Sequence, residues 1–132
     1  MKLSIDNTAS SEDLINFPIL IRLNPSRINY NRIKADASDI SFKSSDGMVT
    51  YSHEIEGTWN SSGESILWVK IPSLAAGQIT DIWLYYSSET EAGDLNPTAV
   101  WDSTYNAVWH LGENGTTFND STSSGNTGTG GS

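Results

Sequence analysis

The chain has 132 residues, enough for one domain with a real core and too few for a barrel of eight βα units. Hydrophobic residues make up 36% and charged residues 17%, both low for a globular chain, but five Trp and five Tyr restore core volume. Seven Lys and Arg against sixteen Asp and Glu give a formal charge of −9, which argues against nucleic acid and anionic membranes as partners, and the absence of Cys excludes disulfides, thiolate catalysis and Cys-ligated zinc.

The dominant period along the chain is two. Leu3 and Ile5 predict a short first strand, and Asp6 to Asp13 a polar connection. Phe17, Ile19, Ile21 and Leu23 alternate with Pro18, Leu20 and Arg22 as a second strand, stopped by Asn24-Pro25-Ser26. Arg27 to Asp39 reads either as one helical turn or as a long loop pinned by Ile28 and Ile33. Ile40 and Phe42 begin a third extended run, and Asp46-Gly47 is the turn into a fourth. There Tyr51, His53 and Ile55 face one way and Ser52, Glu54 and Glu56 the other. The runs 66–71 and 79–86 are apolar on both sides, as expected of central strands in a sandwich. Ser87 to Thr98 is a long acidic connection with Glu89, Glu91 and Asp94. Val100-Trp101 and 107–111 are the last apolar groups.

These elements predict an all-β, jelly-roll-like antiparallel sandwich of about seven to nine strands. The sandwich is expected over residues 1–112, with Phe17, Ile19, Ile21, Phe42, Trp68, Leu84 and Tyr86 sharing its core and Trp83 buried as well. Residues 113–132, rich in Gly, Ser, Thr and Asn, are expected as a flexible tail or the start of a following module. No apolar run approaches the length of a membrane span, and no insertion is expected. The opening residues are not a signal peptide, so the chain is either cytoplasmic or without its leader. Nothing in the tail calls for a homodimer, and a monomer is expected.

No nucleophile elbow, phosphate loop or zinc spacing is present, and the expectation is a protein that is not an enzyme and requires no cofactor. His53 reads as structural. His110 reads as a hydrogen-bonded residue at the core edge, with ligand contact as its alternative. A ring face stacks on the apolar face of a pyranose, and Trp59, beside Asn60 in a polar loop, is the leading candidate for such a platform. Trp101 and Trp109 follow, and a core or lid role is the competing reading for Trp59 and Trp109. Calcium takes oxygen ligands, and Asp36, Asp39, Asp46, Asp102 and Glu113 are candidates, with Asp94 and Asp120 as neighbours for the last two. None of these runs is a twelve-residue calcium loop, and turn capping is the simpler role for each.

The order of motifs resembles the DUF2341 family. The residues that carry the resemblance are Ile5-Asp6-Asn7, the run 16–23, Ala35-Asp36-Ala37-Ser38-Asp39-Ile40-Ser41-Phe42 and Ser45-Asp46-Gly47. They continue with His53-Glu54-Ile55-Glu56, Trp59-Asn60, Trp68-Val69-Lys70-Ile71-Pro72-Ser73, Ile82-Trp83-Leu84-Tyr85-Tyr86, the run 100–113 and Asp120-Ser121-Thr122. Ser87-Ser88 departs from the Gly-Asn frequent there. The resemblance implies an extracellular or cell-surface setting, in a multidomain protein where a concanavalin A-like, laminin-G-type domain commonly follows. It implies no catalytic or binding residues. The expected function is a non-catalytic accessory module that binds a glycan. The alternative is a structural spacer, adhesive or protein-interaction module docked on that laminin-G-like neighbour.

Overall fold

A computed structural model describes residues 1–87 and 93–131. Its main sheet contains β1 (Lys2–Asp6), β2 (Leu14–Leu23), β3 (Ser41–Ser44), β4 (Thr50–Glu56), β5 (Ser65–Leu74), β6 (Ile79–Tyr85) and β7 (Asp94–Leu95). The hydrogen-bonded order is β1-β6-β3-β4-β5-β2, antiparallel throughout, with β7 added in parallel to β4. A helical turn α1 (Pro97–Val100) and a two-stranded sheet of β8 (Thr117–Phe118) and β9 (Gly128–Thr129) complete the described elements. Nine strands among the described residues match the expected number, and the architecture is the expected all-β, jelly-roll-like sandwich, formed by one curled sheet. No helix of the described residues is long and apolar enough to cross a membrane.

β4 joins the two halves of the sandwich. Its Thr50 and Tyr51 pair with β3, whereas His53 to Glu56 pair with β5. The strand thereby passes from one half into the other. Phe42, Ile82 and Leu84 from the first half meet Ile21, Leu23, Leu67, Val69 and Ile71 from the second in one buried cluster. The ambiguous stretch after β2 is a loop with one short 3-10 turn, Tyr30–Arg32. It is pinned from inside, since Ile28 and Tyr30 are buried and the Tyr30 hydroxyl donates to the Leu23 carbonyl at 2.9 Å. The Asp46-Gly47 turn is present, with Gly47 at φ +74° and Asp46 accepting from Ser44 Oγ and the Met48 N–H.

Three core expectations need correction. Phe17 is exposed at the far end of β2. Leu67, Val69 and Ile71 take the inner face of β5, so Trp68 lies on its outer face with Ile66 and Lys70. In β6, Ile82 and Leu84 point inward and Trp83 outward. Runs that are apolar on both faces carry no sign of which face looks inward. Ile19 and Tyr86 only pack against the buried cluster, at half depth. The 113–131 stretch also holds to the sandwich: Ser121 donates to Glu54 of β4, and Thr122 is buried. Glu89 and Glu91 lie outside the described residues.

His53 faces the core, with its ring edge-on to Phe42 at 5.3 Å. Gly93 packs closely beside it, since a Cβ there would stand 3.0 Å from His53 Cε1 and 1.7 Å from the Ile40 carbonyl oxygen. Burial lowers the His53 pKa to about 4, against the smaller opposing pull of Asp94. The neutral ring therefore contributes stability above its unfolded value of about 6.5, and that stability is lost as pH falls toward 4. The loss across this window should approach ~3 kcal/mol. Chemical denaturation from pH 7 to 4 should show a shallower decline in His53→Phe, and an NMR midpoint for His53 near 6.5 would contradict the burial.

Candidate functional site

Two regions on the outside of the sandwich concentrate chemistry. The first is built where the chain returns, after α1, across the outer face of β4 and β5. Register places Glu54 opposite Trp68, so both point outward from the sheet. Glu54 is nonetheless only 6% exposed. Its Oε2 accepts from Trp101 Nε1 at 2.5 Å and lies 3.1 Å from His110 Nε2, while Oε1 accepts from Ser121 Oγ at 2.5 Å. Glu56 Oε2 accepts from Trp68 Nε1 at 2.7 Å and stands 3.3 Å from His110 Nδ1. His110 thus bridges two carboxylates with both ring nitrogens, an arrangement that only the imidazolium satisfies by donating twice.

The rings pack around these bonds. Trp101 is 5% exposed, tilted against Trp68 at 5.1 Å and edge-on to Tyr105 at 5.2 Å. His110 lies nearly parallel to Trp68, with centroids 6.1 Å apart. Asn96 caps α1 by accepting from the Ala99 N–H, with Pro97 in the first helical turn, and this sets the approach of Val100 and Trp101. Beyond His110, Asp120 shapes the chain by accepting from the N–H groups of Val108, Thr122 and Asn126. Desolvation pushes the Asp120 carboxyl up, but these donors outweigh it and hold the pKa at about 2.

The electrostatics follow from the same bonds. Burial raises the Glu54 pKa, yet donation by His110, Ser121 and Trp101 turns the net shift downward. The bond to Glu54 raises the His110 pKa, against burial and with help from the charges of Glu54, Glu56 and Glu113. A cleft of about 660 Å³ opens above, lined by Glu54, Glu56, His110, Glu113, Asn119 and Ser121. Both Glu54 oxygens already serve donors of the fold, and His110 is held between two carboxylates.

The second region is the outer face of β6. Trp83 and Tyr85 project from it two residues apart, 36% and 46% exposed. Register sets Lys2 of β1 and Lys43 of β3 on either side of Trp83. Asp81 lies next along the strand, bonded to Lys2 Nζ at 2.9 Å and Ser4 Oγ at 2.6 Å. Lys43 Nζ stands 5.5 Å from the centre of the Tyr85 ring.

The residues singled out in the sequence are distributed unevenly between these regions. Trp101 and His110 come together in the buried cluster. Trp59 is half-buried against Tyr30 and borders a separate cleft of about 610 Å³ with Ile55, Leu95 and Pro97. Asn60 is exposed and accepts from the Ser62 N–H, which closes its own loop. Trp109 is exposed and donates from Nε1 to the Asn126 carbonyl.

The five acidic candidates are far apart in role. Asp36 accepts from the Ser38 N–H, Asp46 from Ser44 and Met48, and Asp102 from Thr104, all within local turns. Those donors, led by the Ser38 N–H, the Ser44 hydroxyl and the Thr104 hydroxyl respectively, hold the three pKa values below the ordinary range. Asp102 also meets Lys70 Nζ at 3.5 Å. Asp39 is buried and ties the Lys34 N–H to the Ser87 N–H. Glu113 accepts from the Asn119 N–H, and its Oε2 is buried without a partner among the described residues. Among the described residues, no group of three or more His, Asp or Glu is placed to hold a metal ion.

Trp83, Tyr85, Glu54 and Glu56 were not among the expected site residues. The alternation places Glu54 and Glu56 on one face, but their pairing with Trp68 and His110 emerges only with strand register and chain return.

Residues 36–127 match the family described as Domain of unknown function (DUF2341). The chain belongs to this family. The match spans β3 to the loop before β9, and so takes in the whole Glu54 cluster and β6. No curated protein and no solved structure matches the chain.

Removing the Glu54 carboxylate should strand the Trp101 N–H and leave His110 with Glu56 alone. Glu54→Ala is expected to cost about 3 kcal/mol in urea unfolding, and a loss below about 0.5 kcal/mol would mean that the cluster does not hold the segment. The pair should contribute most between about pH 4.5 and 6.5. Glu54's share is lost as pH falls through its lowered pKa, and His110's share as pH rises through its raised one.

Proposed function

We propose that this domain is a non-catalytic accessory module that binds neutral carbohydrate on the outer face of β6. The observation that carries the reading is the ring pair Trp83 and Tyr85, which stays 36% and 46% exposed on one strand face. Side chains two apart on a strand project about 6.6 Å from each other. That spacing presents two π faces to the C–H face of a sugar ring. Lys2, Ser4 and Asp81 alongside supply donors and an acceptor for hydroxyl groups. The mixed signs of these neighbours, in a chain of charge −9, favour a neutral glycan over a polyanion.

The non-catalytic half of the proposal rests on the other region. Its carboxylates and its imidazole are committed to the donors that anchor residues 101–121. The chain has no cysteine, and its described residues hold no metal-binding cluster. The proposal places the domain outside the cell, in keeping with the surface proteins that the family resemblance implies.

The test is a panel of neutral oligosaccharides, with and without calcium, followed by titration of any hit. Trp83→Ala should weaken binding about tenfold or more while leaving the fold intact by circular dichroism. Trp59→Ala should leave affinity unchanged. The opposite pattern would move the platform to the Trp59 loop. Silence across the panel from folded protein would overturn the glycan reading and favour a spacer.

A further inference from the structure

The two ends of the curled sheet, β1 and β2, each pair on one side only. A groove of about 360 Å³ separates them, lined by residues 2–5 of β1, residues 19–22 of β2, and Arg27. The lining residues are consecutive. A sheet face offers alternate residues to a groove, whereas a strand edge offers every residue. The groove is therefore bounded by two open backbone edges that face each other.

Its sides differ in chemistry. Leu3, Ile5, Ile19 and Ile21 pack toward the core on the inner side. Lys2 and Arg22 stand on the outer side with Arg27 beside them, so three of the seven cations in a chain of charge −9 gather here. Lys2 and Arg22 make ion pairs with Asp81 and Glu64 that are open to solvent. Arg27 donates to the Arg22 carbonyl at 2.6 Å and has no carboxylate partner among the described residues.

We propose that this groove receives one extended strand from a partner protein, a segment that alternates apolar and acidic residues. Unpaired strand edges bind extended peptides through main-chain hydrogen bonds, and alternate side chains set the specificity. The apolar residues of the incoming strand cover Leu3, Ile5, Ile19 and Ile21, and its carboxylates meet Lys2, Arg22 and Arg27. Cations on an edge repel the same edge of a second copy, but they attract an acidic strand. Strands alternate in direction along the path from β1 to β2, so these two edges run antiparallel to one another. The inserted strand is antiparallel to one and parallel to the other. The groove shares Lys2 and Ser4 with the glycan platform, but Trp83 and Tyr85 stand outside it, so Trp83→Ala and the Arg22→Glu with Arg27→Glu variant test the two sites separately.

The probe is a fluorescein-labelled eight-residue peptide alternating Val and Glu, with a Val–Lys peptide as control. Anisotropy should show saturable binding of the acidic peptide only, weakening as salt rises. Arg22→Glu with Arg27→Glu should reduce affinity at least tenfold. Independently of any variant, amide hydrogen exchange should slow at residues 2–5 and 19–22 of the wild-type domain when the peptide is added. The proposal is overturned if the acidic peptide does not bind, if the double variant binds it equally well, or if protection appears elsewhere. It is overturned also if sedimentation shows that the free domain dimerises through these edges.

Discussion

The outer half of this domain depends on one buried carboxylate. Glu54 projects from the face of β4 that would otherwise meet water, and the chain returns 47 to 67 residues later to cover it. Taking a carboxylate out of water costs several kcal/mol unless donors replace the lost hydration. Here Trp101, His110 and Ser121 supply three donors from three points on one returning segment. Each fixes a different part of it, and together they lay Trp101 on Trp68. The apolar contact and the polar bonds are mutually dependent, because neither Trp N–H has a bond if its ring moves away. Without this cover the ring of Trp68 would lose its contact with Trp101.

That cover makes the two outer faces unlike. The face of β4 and β5 presents Trp68, Glu54 and Glu56, and the 101–121 segment takes them up. The face of β6 presents Trp83 and Tyr85, which stay partly exposed with Lys43 beside the Tyr85 ring. An exposed aromatic pair costs solvation free energy that a folded chain would ordinarily recover by burial. The contrast within one molecule gives the bare pair its meaning. The same residue type in the same kind of strand serves the fold on one face and is left to solvent on the other.

Much of the fold is legible in the amino-acid sequence, since a period of two and a few turn signals suffice for strands. The Asp46-Gly47 hairpin, the inward positions of Tyr51, His53 and Ile55, and the end of β2 at Asn24-Pro25 all follow from local chemistry. The turn-capping roles of Asp36, Asp46 and Asp102 do too, because an Asp side chain reaches its own backbone without help from distant parts of the chain. The misplaced residues share a different property. Trp68 and Trp83 lie in runs apolar on both faces, where alternation cannot say which side is the core. Glu54 reads as a solvated residue because its partners are far away in sequence. For Trp68 and Glu54 the cover is decided by where residues 97–121 return, and that path is set by long-range bonds. Weak hydrophobicity after Gly112 hides it further, since that stretch is held by Asp120 and Ser121 instead of by apolar burial.

The polar character of that returning segment also bears on chemistry. A pair of glutamates beside a histidine in a cleft is the kind of grouping from which general acid–base catalysis is built. Such catalysis needs two groups whose environments push their pKa values in useful and different directions, with a lone pair or proton left for the substrate. In this domain the two pKa values are pushed apart, the carboxyl of Glu54 down and the imidazole of His110 up, with the bond between them contributing to both shifts. Each shift favours the charged form of its group, so the two deepen one ion pair. That ion pair, together with the donors from Trp101 and Ser121, clasps the returning segment to β4.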